Sequence, residues 1–261
     1  EDPWAKGYLD PDVIYDGGSV YSQGDAVKPS GLSAAESLGG MEARPFPAGR
    51  GKRRLALANW IVDNKNPLAA RVMVNRIWSW HFGRGIAGNP NNFGGTGELP
   101  THPALLDYLA DWFMKNGWSV KKLNALILSS ESYRRSSRHP DPESLDEKDP
   151  KGQLYASFLP RRLVAEEIRD SMLAVSGELN PKVGGIPARP DLNPEVAFQP
   201  RQIMGGTASV YEPDPLPSQR NRRTIYAEKI RGLRDPFLEA FNQPGPDASC
   251  ELRQSSTVAP Q

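Results

Sequence analysis

Apolar residues recur at helical spacing in several separate stretches of this chain, and segments rich in glycine and proline lie between them. The spacing predicts helices over residues 51–62, 67–82, 101–116, 119–133 and 160–176, and a short one over residues 235–242. Residues that favour helix ends flank them: Asn66, Ser119 and Asp235 at the starts, and Gly83, Gly117 and Gly177 at the ends. In the helix over residues 160–176, the residues predicted to face the core are Leu163, Ile168, Met172 and Val175.

The remaining segments lack this periodicity. Residues 1–50 are predicted to form an irregular lead-in with a β-like patch at residues 13–15, and residues 139–150 a charged, exposed loop. In the irregular segment 178–221 only residues 208–211 resemble a strand, and residues 224–230 also fit one. The predicted fold class is therefore mostly α: an irregular helical domain over residues 51–261 with long Gly/Pro-rich loops and a few short strands. Both ends are expected to be cut from a longer polypeptide.

Composition narrows the classes of protein that the chain can represent. Formal net charge is +1, so no global basic field steers the chain to nucleic acid, and nucleic acid is not expected as a partner. Cys250 is the only cysteine, which excludes an internal disulfide, a thiolate-rich zinc site and a Cys-x-x-Cys-His haem attachment within this chain. No apolar run approaches 18 residues, so no membrane span is predicted, and no signal peptide is visible.

The most informative segment is the helix predicted over residues 67–82. It is apolar on nearly every side, and yet it carries Arg71, Asn75, Arg76 and His81. Such a helix must be buried, and buried polar groups need partners. In the structural interpretation, Arg71 pairs with a carboxylate such as Glu166, Glu167 or Asp170, and Asn75 holds a loop carbonyl.

In the functional interpretation, the same helix presents a binding surface. Arg71, Asn75, Trp78 and Phe82 form one stripe, and an arginine among aromatic rings can hold a carboxylate, a sulfate or the edge of a sugar. His81 and His102 flank the glycine-rich loop that follows and could exchange protons there. The candidate binding residues are Arg71, Asn75, Arg76, Trp78, His81 and His102, and no catalytic set is recognisable.

Other motifs add little chemistry. No His-x-His, His-Glu-x-x-His, nucleophile-elbow or Walker pattern is present, so no metal site or cofactor site is predicted. Two basic clusters, at residues 50–54 and 220–223, could grip phosphate or sulfate groups. Solvated helix ends explain these clusters equally well.

Several blocks of the sequence resemble a known family in their order and spacing. They are RRLALANWIVDNKNPLAARVMVNRIWSWHFGRGIAGNPNNFG, PTHPALLDYLADWF, GWSVKKLNALILSSESYRRSS, PRRLVAEEIRDSMLAVSG, RRTIYAEKI and SSTVAPQ. They resemble the Planctomycete-specific domain of unknown function found at the C-terminal end of large cytochrome-c-associated envelope proteins. The chain departs from that family's pattern at Ala104, where glutamate is favoured, and at Asn124, where arginine is favoured.

The resemblance implies a periplasmic or secreted helical module of a multidomain protein. Its partners would be a cytochrome-like domain and a second uncharacterised domain of the same polypeptide, with haem c in that separate domain and no cofactor in this chain. The expected function is binding or structural, either presenting a glycan or docking the haem domain. The alternative is a catalytic domain that acts on polysaccharide-derived substrates through an Arg/Asn/His site.

Overall fold

The computed structural model describes residues 13–19, 21–41, 45–47, 50–197, 202–203, 206–207, 211–231, 233–246, 249–253 and 255–257. The chain divides into two compact units, Glu1–Leu159 and Pro160–Gln261, called here the first and the second unit. The sequence does not predict this division. The mostly α-helical fold with a few short strands is confirmed.

The first unit begins with a small hairpin and continues as a series of helices. Strands β1 (Val13–Tyr15) and β2 (Gln23–Ala26) pair antiparallel, and the β-like patch at residues 13–15 is therefore a strand. The helices that follow are α1 (Ser33–Gly39), α2 (Arg50–Ile61), α3 (Ala69–Phe82), α4 (Pro103–Lys115), α5 (Val120–Ser129) and α6 (Pro142–Lys148).

The core of the first unit lies between α3, α4 and α5. Its fully buried members come from all three helices and from the loop after α3: Val74, Ile77, Ile86, Leu106, Leu109, Phe113, Leu123 and Ile127. Ser119 and Gly83 cap their helices as predicted, whereas α3 begins at Ala69, two residues later than predicted, so that its N-cap position is Leu68. Asn66 accepts hydrogen bonds from the backbone amides of Leu68 (3.0 Å) and Ala69 (3.4 Å), and Ser119 accepts one from Lys122 (3.3 Å). Gly83 ends α3 in the left-handed region, at φ 78°.

Three predictions for individual segments are wrong. Helix α1 lies within the lead-in that was expected to be irregular. Helix α6 occupies the predicted charged loop, because Asp141 accepts from the amide of Ser144 (3.1 Å) and Pro142 suits a first helical position. The predicted core face of the fifth helix is largely exposed, since Met172 and Val175 expose 58% and 91% of their surface.

The second unit contains short elements joined by irregular chain. They are α7 (Ala165–Val175), α8 (Pro194–Ala197), β3 (Gln202–Ile203), β4 (Gly206–Thr207), α9 (Pro217–Arg220) and α10 (Pro236–Ala240). Helix α7 starts at Ala165, five residues later than predicted. Asp235 caps α10 as predicted, accepting from the amides of Phe237 (2.9 Å) and Leu238 (3.3 Å).

The two predicted strands of this unit have different outcomes. The strand expected at residues 208–211 lies outside the described residues, apart from Tyr211. The segment 224–230 is not a strand, because Thr224–Tyr226 form a 3-10 turn. Asp170 of α7 fixes that turn, accepting from the backbone amide (2.7 Å) and the hydroxyl (2.6 Å) of Thr224.

Candidate functional site

Asn75 fastens the glycine-rich loop to α3. Its side-chain amide donates to the carbonyl of Ala87 (2.9 Å), and its side-chain oxygen accepts from the amide of the same residue (2.9 Å). Asn75 is completely buried and Ala87 nearly so. The carboxamide therefore satisfies two buried main-chain groups at once. The structural interpretation of Asn75 as a loop holder agrees with this geometry.

The two arginines of α3, Arg71 and Arg76, also bond to side chains of the first unit. Arg71 pairs with Asp107 of α4, with 2.7 Å between Nε and the carboxylate. The expected partner among Glu166, Glu167 and Asp170 is therefore wrong, and the pair is partly exposed rather than buried, with 32% and 57% of the side chains accessible. Arg76 donates to the side-chain oxygen of Asn91 in the loop.

Trp78 and His102 both contact Tyr155, a residue that the sequence does not single out. The indole Nε1 of Trp78 donates to the hydroxyl of Tyr155 (2.9 Å), and the His102 ring centroid lies 5.4 Å from that of Tyr155. Burial raises the pKa of Tyr155. His81 lies elsewhere, with Nε2 3.0 Å from the side-chain oxygen of Asn124. Trp78 and His102 thus share Tyr155, whereas Arg71, Asn75, Arg76 and His81 each bond to a different residue of the described structure.

The second basic cluster is also used internally. The guanidinium of Arg222 is buried and donates to the carbonyls of Lys182 (3.1 Å) and Ile186 (2.8 Å). Arg220 pairs with Asp191 at 2.8 Å. Arg223 is exposed and lies 3.4 Å from a carboxylate oxygen of Asp170. This cluster therefore organises the second unit through its arginines.

The second unit contains a cavity of about 260 Å³. Its lining comes from α7, from the segment 227–238 and from distant loops. The apolar lining residues are Pro190, Leu192, Ala227, Ile230, Leu233, Leu238, Pro244 and Pro246. The polar ones are Glu166, Tyr211, Glu228, Lys229, Arg234, Asp235, Gln243 and Arg253. The wall therefore combines an apolar surface with several placed polar groups, and small-molecule sites use both.

A hydrogen-bonded ion pair forms one wall of this cavity. Arg253 donates to both carboxylate oxygens of Glu166, at 2.5 Å and 3.0 Å, and Gln243 donates to one of them at 3.0 Å. Burial disfavours the charged carboxylate, but the hydrogen bonds from Arg253 and Gln243 outweigh it and lower the pKa of Glu166 to about 2. The pair thus presents fixed charges at neutral pH.

Two further cavity residues are perturbed by burial. Burial raises the pKa of Tyr211 to about 12, and its hydroxyl donates to the carbonyl of Pro190 (2.7 Å). Burial lowers the pKa of Lys229, although the negative charges of Glu166 and Asp235 oppose this shift. Ionisable groups with shifted pKa values often gather at functional sites. The cavity is therefore the strongest candidate for a ligand site in the described part of the chain.

Sequence reasoning missed this cavity. Of its lining residues, Glu166 was considered only as a partner for Arg71, and Asp235 only as a helix cap. The lining comes from segments that are distant in the sequence, so no local pattern brings them together. The blocks PRRLVAEEIRDSMLAVSG and RRTIYAEKI each contribute lining residues, which is the one signal present in the sequence.

The geometry defines a helical protein with a small ligand-sized cavity and a loop fastened by side chains. Residues 53–261 match the family PSD1, described as proteins of unknown function (DUF1553), and the chain belongs to that family. No curated protein and no solved structure matches the chain. Among the described residues, no group of three or more metal-binding side chains could hold an ion, and no described helix is long and apolar enough to cross a membrane.

Proposed function

We propose that this chain is a binding module, and that the cavity of the second unit holds one small polar ligand such as the end of a glycan. The observation that carries the proposal is the cavity of about 260 Å³ that combines apolar walls with the Glu166–Arg253 pair. Pockets for drug-sized ligands span about 300–1,000 Å³. A single sugar unit or the end of a longer chain is the matching size.

The chemistry of the walls suits a polyhydroxylated ligand. Leu192, Ile230 and Leu238 offer apolar surface to the C–H face of a sugar ring. The carboxylate of Glu166 accepts hydrogen bonds from hydroxyls, and the guanidinium of Arg253 donates them. Because the two groups already hold each other in place, little side-chain entropy is lost when a ligand binds.

The catalytic alternative, an Arg/Asn/His site acting on polysaccharide-derived substrates, has less support. The side-chain amide of Asn75 is fully used by Ala87, and Arg71 and His81 reach separate partners. In the cavity, a carboxyl whose pKa is about 2 is a weak general base, since an efficient one titrates near the working pH. These observations favour recognition over turnover.

The family resemblance supports a further proposal, namely that this binding role belongs to a larger protein. We infer that the chain is one module of a periplasmic or secreted cytochrome-associated polypeptide, with haem c in a separate domain. Docking of that haem domain is the other form of a binding role. Pull-down of the purified chain by the cytochrome-like domain of its own polypeptide would test docking, and no association would contradict it.

Titration calorimetry with neutral and acidic mono- and oligosaccharides tests the cavity. Arg253→Ala removes the cavity ion pair, whereas Arg161→Ala removes the Arg161–Glu167 pair of the same unit, which does not line the cavity. We expect binding to the native chain, a loss of at least about tenfold for Arg253→Ala and little change for Arg161→Ala. Absence of any binding, or equal losses in both variants, would contradict the proposal.

A further inference from the structure

The cations that line the second-unit cavity differ in whether they already have a partner. Arg253 is bound by both carboxylate oxygens of Glu166. Arg234 pairs with Glu239, a residue of α10. Lys229, by contrast, makes no hydrogen bond or ion pair with any residue in the described part of the chain.

The surroundings of Lys229 show why the lack of a direct partner for its ammonium matters. Lys229 is exposed as a whole residue but lines the cavity, and partial burial there lowers the pKa of its ammonium. Glu166 is already committed to Arg253, and the carboxylate of Asp235 accepts from two backbone amides at the start of α10. An ammonium at the cavity wall that no carboxylate contacts directly is stabilised by an anion that enters the cavity.

We propose that Lys229 is the anchor for a ligand carboxylate, and that the ligand of the cavity is an acidic sugar, a uronic acid or a chain that ends in one. This inference rests on the proposed function and specifies the ligand class of the same site. One unpaired ammonium suits a singly charged group. A phosphate monoester carries close to two charges at neutral pH and would leave part of its charge uncompensated.

The rest of the cavity is consistent with this orientation. With the carboxylate at Lys229, the ring of the sugar lies beside two apolar lining residues that follow Lys229 along the chain, Ile230 and Leu233. The hydroxyls then face the Glu166–Arg253 pair, whose oxygen and nitrogen atoms can both accept and donate. Different residues thus bind the charged end and the neutral body of the ligand.

Glucuronate and glucuronamide provide the test, because they differ only in whether the acid group is charged. Calorimetry would compare the native chain with Lys229→Met, which keeps the aliphatic stem, and with Lys182→Met. Lys182 is an exposed lysine of the same unit that does not line the cavity, so it is the matched control. Circular dichroism verifies that each variant is folded.

We expect the native chain to bind glucuronate at least about tenfold more tightly than glucuronamide, equivalent to about 1.4 kcal/mol. Lys229→Met should abolish this ratio, and Lys182→Met should keep it. Equal binding of the acid and the amide by the native chain would overturn the role of Lys229 while leaving the binding function intact. Binding of neither compound, nor of any other sugar, would overturn both.

If Lys229→Met does not fold, the salt dependence of binding to the native chain tests the same inference. The native chain should bind glucuronate more weakly as salt is added, because screening weakens the contact between two charges, whereas glucuronamide should bind equally at low and high salt. The same salt dependence for both compounds would contradict an ion pair with the ligand.

Discussion

Removal of the Asn75 side-chain amide should lower the unfolding free energy of the first unit by about 2–6 kcal/mol. In Asn75→Ala the amide and the carbonyl of Ala87 both lose their partner at 2.9 Å. Ala87 is 2% exposed, so water cannot replace that partner without a rearrangement of the loop. Each buried group left unsatisfied costs about 1–3 kcal/mol, and two groups give the stated range.

Urea unfolding followed by tryptophan fluorescence measures this loss in the relevant part of the chain. All 6 tryptophans lie within residues 1–159, so the signal reports on the first unit. With a urea m-value of about 1–3 kcal/mol/M, a loss of about 4 kcal/mol lowers the midpoint by at least about 1 M.

Arg71→Ala is the matched control from the same helix. Its ion pair with Asp107 is partly exposed, and such pairs contribute about 0–1 kcal/mol. The midpoint should therefore shift much less than in Asn75→Ala. A loss below about 1 kcal/mol for Asn75→Ala, or equal losses for both variants, would refute the assignment of Asn75 as the buried fastener of the loop.

Three further predictions concern single positions. Gly85→Ala should destabilise the first unit in the same urea assay, because a Cβ would lie 2.6 Å from the Ala87 carbonyl oxygen, whereas Gly95→Ala meets nothing within 4 Å and should be neutral; equal effects would count against the packed loop. The pKa of Glu166 falls from 4.5 to about 2 on folding. Its carboxylate therefore stabilises the folded state fully at a pH above 4.5, and this contribution is lost as the pH falls toward about 2. Thermal melts should therefore show a weaker acid dependence for Arg253→Met than for the native chain, and an unchanged dependence would show that the pair is not responsible. Asp149→Ala should weaken hydrogen-exchange protection of the two backbone amides that its carboxylate binds at 2.7 Å each, and unchanged protection would contradict that anchor.

Helices α3, α4, α5 and α10 were predictable because their information is local. Apolar spacing selects the buried face, and residues such as Ser119, Gly83 and Asp235 mark the ends by satisfying or releasing backbone groups within a few positions. No distant contact is needed to read these signals. Helix α6 was missed because its charged composition resembles a loop, although Asp141 and Pro142 carry the same kind of start signal.

Partners across the fold were not predictable in this way. Asn75 was expected to hold a loop carbonyl and does so, because the loop that follows α3 turns back onto this helix. Arg71 was expected to pair with Glu166, Glu167 or Asp170, yet it pairs with Asp107. Several carboxylates satisfy an arginine equally well, and only the packing of α3 against α4 selects one of them.

The cavity of the second unit also could not be predicted from the sequence, because its residues come together only in the folded unit. Glu166 and Arg253 are 87 residues apart in the sequence, and their pairing depends on how the whole unit closes. Met172 and Val175 illustrate the opposite error, since helical spacing alone does not tell whether an apolar stripe is covered. Tertiary packing determines both the pairing of Glu166 with Arg253 and the exposure of Met172 and Val175.

The fastened loop has a practical consequence for protein engineering. Asn75 holds Ala87, and the amide of Thr101 donates to the carbonyl of Ile86 at 2.9 Å, so residues 88–100 leave and return to the helix pair at neighbouring points. Doubling the length of such an excursion adds only about 0.6 kcal/mol of closure entropy. Gly94 and Gly95 are exposed at its outer part. A reporter peptide or affinity tag inserted between them should therefore be displayed on the surface at a small cost in stability.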